Sequence, residues 1–252
     1  MLSVIILTLN EERNIGRALR SVEGLTDDIV VVDSGSTDQT CSICRAQGVR
    51  VIHREWEGYS SAKNFGNSQA IHSWVLSLDA DEALSPQLRD SIEKHFTPDL
   101  PQNRIFSFNR LTNFCGTWIR HSGWYPDPKI RIWHRDFGRW EGYIHEKPVF
   151  NGRPDRVHLH GDLLHYSFYT REDYRQQTEK YARMSAEELF RRGKRVSLLK
   201  QWVAPGIRFV RDYVFRGGFL DGAKGFEVCK GNARGVRLKY AWLRQLQATD
   251  SR

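Results

Sequence analysis

Over the first hundred positions, apolar residues fall into short runs, and between them the spacing switches to a helical period. Residues 2–9 (LSVIILTL) are an apolar, β-branched run bounded by Asn10, which predicts a strand buried on both faces. In 11–25, Ile15, Leu19 and Val22 stand at helical spacing and Gly24 marks a stop. A second buried strand, Ile29 to Val32, ends in Asp33 and a loop of small residues. Ser36, Thr37 and Asp38 can cap a helix over roughly 38–47. Strands at 49–53 and 74–78 follow, with helices at 60–71 and 86–96. This alternation predicts an α/β domain built on a mostly parallel central sheet with helices on both faces. In such sheets ligands bind at the carboxyl ends of the strands. Thr8–Glu12, Asp33–Asp38 and Asp79–Glu82 should therefore converge, although they lie far apart in sequence.

From 100 to 170 the pattern changes to short strand-like runs (RIFSFNRLTNF, KIRIWHR, GYIHEKPVF, LLHYSFY), which predict an antiparallel or mixed extension of the sheet. Residues 171–192 read as a helix with Tyr174, Thr178, Tyr181 and Met184 on one face. Residues 197–246 read as helices broken at Pro205–Gly206, Gly217–Gly218 and Gly231. There are no repeats and no low-complexity segments. The expected division is a domain at 1–192 and a basic, aromatic helical C-terminal extension at 193–252.

The 252 residues carry an ordinary composition, 40% hydrophobic and 27% charged, which fits a folded chain. The net charge of +8 is unevenly spread. Residues 1–190 hold 23 Lys/Arg against 26 Asp/Glu; residues 191–252 hold 15 against 4, a net +11. Such a tail points to an anionic partner: phosphorylated molecules, a membrane surface or nucleic acid. The four cysteines, Cys41, Cys44, Cys115 and Cys229, include one CxxC pair, but no second pair or neighbouring histidine completes a zinc site. They read as reduced thiols of a cytosolic protein. The N-terminus lacks the basic start and cleavage site of a signal peptide, and no run of 18 apolar residues is present.

The chemistry concentrates in WVLSLDADEALS, 74–85. Asp79, Asp81 and Glu82 close an apolar strand, where acids rarely gather unless a positive group sits between them. Carboxylates two apart at a strand end suit a hard divalent ion, Mg²⁺ or Mn²⁺, which commonly bridges to a diphosphate. A turn with a cap for the helix at 86–96 accounts for a lone DxD equally well. Asp33 in DSGSTD stands where doubly wound folds contact a nucleoside, and an acid there can accept from a base N–H or a ribose hydroxyl. No GxGxxG fingerprint accompanies it, and a Ser/Thr/Asp-rich capped turn is the plainer alternative.

Strand-TLNEE, strand-DSGSTD and strand-LDADE, in that order, together with GYSSAKNFG at 58–66, resemble glycosyltransferase family 2 with its Rossmann-like GT-A fold. More narrowly, WEGYIHEKP at 140–148 and GDLLHYSFYTREDY at 161–174 resemble bacterial transferases that add β-glucose to the lipopolysaccharide inner core, as β-1,4-glucosyltransferases do. The resemblance implies an inverting, metal-dependent hexosyltransferase using a UDP-sugar. It places Thr8, Asn10 and Glu11 by the nucleotide, Asp33 on the uracil, Lys63 near the donor, and Asp79 with Ala80 at the ribose or sugar. It makes Asp81 a metal ligand, with His165 as a further one or else a core histidine. His145, His158 and His160 are weaker candidates. The general base that deprotonates the acceptor hydroxyl would be Glu146, in an HE pair where other members carry an acidic ED-type motif, with Asp127 as runner-up. Glu146 paired only with Lys147 or an arginine is the plainer alternative. Trp118, Trp124, Tyr125, Trp133 and Trp140 divide between core and acceptor cleft, and Arg131 and Arg135 could meet phosphate.

In 194–219, aromatic and aliphatic residues alternate with Lys200, Arg208, Arg211 and Arg216. This suits either an amphipathic element on an anionic bilayer or a helix packed on the sheet. The expected partners are a UDP-sugar, a phosphorylated glycolipid acceptor and, by peripheral contact, the cytoplasmic face of the inner membrane. Nucleic acid is not expected: no binding-module signature is present and three strand-end acids would repel phosphates without metal. The rivals are a family 2 enzyme with another polysaccharide or glycolipid acceptor, a nucleotidyltransferase, for which TLNEERN lacks the Gly/Arg/Lys-rich loop, a degenerate, inactive transferase, against which the intact DAD argues, and a non-catalytic nucleic-acid- or membrane-binding protein.

Overall fold

The structure, a computed structural model, describes residues 1–97, 99–142 and 146–250. By packing, the chain forms two compact units. The first comprises Met1–Arg110 and Asp127–Tyr166, the second Leu111–Pro126 and Ser167–Arg252.

In the first unit, β1 (Leu2–Thr8), α1 (Ile15–Val22), β2 (Asp28–Asp33), α2 (Thr40–Ala46), β3 (Arg50–His53), α3 (Tyr59–Ser68) and β4 (Trp74–Asp79) alternate as expected. These four strands are parallel in the order β3-β2-β1-β4. All seven residues of β1 are buried, which is why the run shows no polar alternation. α1 buries Ile15, Ala18, Leu19 and Val22. α3 lies so close to β1 that a Cβ on Gly66 would meet Ile5 Cγ2 at 2.4 Å. The register pairs Thr8 with Asp33 and Leu7 with Asp79. The carboxyl ends of β1, β2 and β4 therefore come level, and the three polar loops meet there.

The sheet continues with antiparallel pairing. After β5 (Glu82–Leu84) and α4 (Pro86–His95) come β6 (Arg104–Phe114), β7 (Thr117–Ile119), β8 (Pro128–His134), β9 (Gly138–Glu141), β10 (Lys147–Phe150) and β11 (Asp155–Phe168). The full order is β3-β2-β1-β4-β8-β6-β11-β5, with β7 on the far end of β6 and β9–β10 a separate ribbon. The three residues of β5 are too few to show a period, and this strand was not legible in the sequence. The cap of α4 is Ser85, whose Oγ accepts from Leu88 N–H, with Pro86 at the first helical position; the acids before it are left for other work.

The second unit holds α5 (Arg171–Arg191), α6 (Leu198–Val210), a π-turn at Arg211–Phe215, a 3₁₀ turn at Gly218–Asp221 and α7 (Gly222–Asp250). α5 opens on a capping box between Thr170 and Asp173. It buries Tyr174, Ala182 and Ala186, while Tyr181, expected on the same face, is 44% exposed. Two expected breaks are not made. Pro205 lies inside α6, and Gly231 lies inside α7. Gly231 is there for close approach: a Cβ on it would sit 2.2 Å from the Tyr174 ring. The chain does turn at Gly217, whose φ is +64°. Phe114, Ile119, Tyr174 and Val228 form this unit's aromatic core.

Candidate active site

The first two loops are tied to each other. Asn10 takes a left-handed φ of 54° and donates its N–H to Ser36 Oγ at 2.9 Å; its Oδ1 accepts from Thr37 N–H at 2.8 Å. Glu11 N–H donates to Thr40 Oγ1, and Glu12 N–H to Asp38 Oδ2. Asp38 also accepts from Thr40 N–H ahead of α2. Asp33 is buried and accepts from the N–H groups of Gly35 and Ser36, each at 3.0 Å. Burial pushes its pKa up, but these bonds and the Ser36 hydroxyl outweigh it and hold the carboxyl below its usual range. Asp33 thus shapes its own loop. Thr8 is buried, and its Oγ1 has no hydrogen-bond partner among the described residues. Glu11 is pushed the other way: burial first, then Asp81 and Asp38, raise its pKa against a bond from Asn14.

The acids after β4 surround buried cations. Lys63, on α3, is 1% exposed. Its Nζ lies 3.1 Å from Asp79 Oδ1 and 3.2 Å from Glu146 Oε1, 4.5 Å from the Trp140 ring centroid. The other oxygen of Asp79 meets Arg131 Nη2 at 3.0 Å. Arg131 also donates to both oxygens of Glu82, which is 1% exposed. Arg110 stands 3.7 Å from Glu82, whose Oε2 accepts from Asp79 N–H. Burial works against a charge on Asp79, but Lys63 and Arg131 hold its carboxyl well below the usual range. The positive groups demanded by Asp79 and Glu82 are therefore Lys63 and Arg131. Arg131 was a phosphate candidate; in the structure, Asp79 and Glu82 occupy it. Glu82 had no assigned role in the sequence. The signal was present as an arginine set between Ile130 and Ile132 in the strand-like run KIRIWHR.

Asp81 and His165 form a different pair. Asp81 Oδ2 is 3.1 Å from His165 Nε2, with the two side chains 23% and 14% exposed. Tyr166 N–H donates to the Asp81 carbonyl, and Ala80, 3% exposed, donates to the Leu7 carbonyl. One carboxylate and one imidazole suit a divalent ion that completes its shell with water and phosphate oxygens. Among the described residues no group of three or more His, Cys, Asp or Glu could hold a metal by itself. The donor set therefore fits a shared ion rather than a closed protein cage.

Among the described residues, Glu146 reaches the cluster through Lys63, not through Lys147 or an arginine. Asp127 is held by Arg110 at 3.0 Å and Lys129 at 2.8 Å. His145 lies outside the described residues. His158 Nδ1 meets Ser107 Oγ at 3.2 Å, and His160 is exposed. Trp133 and Trp140 are core, Trp140 clamped by both ends of the Asn64 amide. Trp118, Trp124 and Tyr125 belong to the second unit. Arg135 was a phosphate candidate, but Trp74 pairs with His134, which puts Arg135 beyond the amino end of β4, away from Asp79. Its N–H donates to the Ser73 carbonyl. Cys44 is buried in the core, and burial pushes its thiol up to about 11, so the CxxC pair offers no thiolate at neutral pH.

A doubly wound sheet with carboxylates gathered at the ends of β1, β2 and β4 defines the GT-A class of α/β transferase domains. The family model described as glycosyl transferase family 2 matches residues 3–155, and the chain belongs to that family. It is a glycosyltransferase. It is 32% identical to an uncharacterized glycosyltransferase of Rickettsia typhi over 97% of this chain and 87% of that one. It is 29% identical to the lipopolysaccharide core biosynthesis glycosyltransferase LpsC of Rhizobium meliloti, over 89% and 85%. A solved structure, glucosyl-3-phosphoglycerate synthase from Mycobacterium tuberculosis with Mn²⁺, UDP and glucosyl-3-phosphoglycerate, is similar over 45% of this chain and 44% of that one. That likeness is at 26% identity, with a TM-score of 0.37. Among the described residues no helix is long and apolar enough to cross a membrane.

Proposed function

We propose that this family 2 enzyme transfers a hexose, glucose in the sharpest form of the reading, from a UDP-sugar to a phosphorylated glycolipid of the lipopolysaccharide-core type. The observation that carries the reading is the bridge made by Lys63. It holds Glu146 beside Asp79 although the two are far apart in sequence. A candidate base and a candidate sugar-binding acid thereby share one buried cation.

In this reading Thr8, Asn10, Glu11 and Asp33 form the nucleoside end of the site, and Asp79 with Ala80 faces the ribose or sugar. The buried Thr8 hydroxyl has no hydrogen-bond partner among the described residues. Asp81 and His165 would hold Mg²⁺ or Mn²⁺, which when bound offsets the negative charge growing on the UDP leaving group. Glu146 takes the proton of the acceptor hydroxyl as its oxygen bonds the anomeric carbon. The bond from that carbon to the β-phosphate oxygen breaks, and its electron pair leaves with UDP. One displacement inverts the centre and needs no protein nucleophile. The glycolipid acceptor is supported by the similarity to LpsC. The division into a transferase domain at 1–192 and a basic extension at 193–252 belongs to the same reading. The extension would keep the enzyme at the cytoplasmic face of the inner membrane.

Calorimetric titration of UDP, with and without Mn²⁺, into the wild type and Asp81→Ala tests this. Metal-dependent binding that is lost in the variant supports the site. UDP-glucose consumption with a core-type acceptor then supports the specificity. Absence of binding to UDP, GDP and dTDP in every condition overturns the proposal.

A further inference from the structure

The second unit contains one fully buried carboxylate that the proposed reaction does not use. Asp212 is 0% exposed, at the junction of α6 and the π-turn. Its Oδ2 accepts from Arg208 Nε and from Asn232 Nδ2, the latter at 3.1 Å. Its Oδ1 accepts from Arg211 Nε at 3.0 Å and lies 3.7 Å from Arg216 Nη1. Asn232 is fixed in turn by the Tyr174 hydroxyl at 3.0 Å. Three guanidinium groups therefore share one carboxylate and leave a local excess of positive charge. Each keeps donors to spare, since a guanidinium carries five N–H groups. The arginine side chains are 34%, 43% and 43% exposed, so the anchored ends lie inside and the remaining donors reach solvent. A buried counter-ion that fixes arginines in this way pre-orders them for an anion.

Beside them runs an apolar stripe. Leu199, Val203, Ile207, Val210 and Val214 are 73%, 45%, 63%, 47% and 52% exposed, and Phe215 is 80% exposed. Their spacing of three and four residues puts the five aliphatics on one side of the element; at about 100° per residue Arg211 falls along its edge, while Arg208 is turned to the other side. No residue of α6 is fully buried. A second copy docked on this face would set one arginine cluster against another. A nucleic acid would engage the arginines and leave the aliphatic stripe in water. An anionic bilayer meets both features at once.

We infer that α6 and the π-turn are a membrane-docking element. Arg211 and Arg216, ordered with Arg208 around Asp212, take lipid headgroup phosphates, and Ile207, Val210, Val214 and Phe215 enter the acyl boundary. The inference deepens the membrane contact in the proposed function by assigning it to a site.

The test is co-sedimentation of the full chain with vesicles of phosphatidylcholine, alone or mixed with phosphatidylglycerol. The wild type should bind only the mixed vesicles. Arg211→Gln/Arg216→Gln should weaken binding on the order of tenfold or more, at about 1 kcal/mol per arginine. Ile207→Ser/Phe215→Ser, at exposed positions that cannot disrupt a core, should weaken it by a similar factor. Both double variants should keep the UDP affinity of the wild type. Binding that persists in both overturns the inference, as does displacement by inorganic phosphate, which would mark a site for free phosphate. Binding to DNA without binding to vesicles also overturns it. If UDP binds and vesicles do not, this inference fails alone; if vesicles bind and UDP does not, the proposed UDP-sugar reading fails alone.

Discussion

In the first unit the buried ions are Lys63 and Arg131, and the groups they hold at the rim are the carboxylates of Asp79 and Glu146, 32% and 21% exposed. In the second unit the buried ion is Asp212, and those at the rim are three arginines. The signs are exchanged. In both, a charge taken out of water fixes opposite charges that remain partly in it, and the exposed members set what each region can meet. Acids held by inner cations suit a metal-linked diphosphate and a proton to be accepted. Arginines held by an inner acid suit phosphate directly. The regions differ in depth as well. Arg131 and Glu82 are both buried, whereas all three arginines around Asp212 reach solvent.

That difference in depth gives the largest expected effect. Arg131→Met strands Glu82 inside the sheet without its guanidinium, which should cost about 3–5 kcal/mol in urea unfolding. Asp212→Leu frees three arginines that water can solvate in place, and should cost about 1–3 kcal/mol. Equal losses would remove the distinction between a buried network and a half-buried one.

Next in size is a change at the rim of the first unit. If Glu146 is the base, Glu146→Gln should lower kcat by about 10²–10⁴ while leaving UDP affinity and the unfolding midpoint close to those of the wild type. Lys63→Met should reduce both kcat and stability, because it removes the inner member. A Glu146→Gln enzyme of normal rate would return the base assignment to Asp127, which two cations already hold.

Acid separates the regions further. The carboxyl of Asp79 is depressed by Lys63 and Arg131 in the fold, so the stability it confers is fully present above the ordinary carboxylate range. That stability is lost as pH falls through the lower folded value. Unfolding free energy should therefore decline below about pH 4, and Asp79→Asn should flatten that decline. Equilibrium unfolding at a series of pH values measures both slopes.

Much of the first unit was legible because periodicity reports burial. β1 is covered on both faces, so its run is continuous, and α1 repeats at helical spacing. The convergence of three loops followed from topology alone. Other parts were hidden for physical reasons. The partner of Glu82 lies on β8, and only tertiary pairing brings Arg131 to it. Glu146 was a candidate from resemblance, but its bridge through Lys63 depends on how α3 packs. In the second unit, Pro205 and Gly231 read as breakers because local propensity is all a sequence displays. α6 continues through the proline, and Gly231 serves a contact with a residue 57 positions earlier, Tyr174.

That contact provides the smallest and most local prediction. In Gly231→Ala the new methyl would stand 2.2 Å from Tyr174 Cε1 and 2.6 Å from its hydroxyl. The tyrosine ring has little room to yield, since Phe114, Phe168 and Trp124 pack around it. Alanine is the better helix former by about 1 kcal/mol in an open helix. At this position overpacking of about 1–3 kcal/mol opposes that gain, so the net change should be a modest destabilisation. Displacing the ring would also shift the hydroxyl that holds Asn232, and with it one of the bonds to Asp212. The variant should therefore lose some vesicle affinity and keep its UDP affinity. A Gly231→Ala protein more stable than the wild type would mean that α5 and α7 can part without disturbing Asp212. The arginine cluster would then be ordered from within α6 and the π-turn, independently of the helix packing behind it.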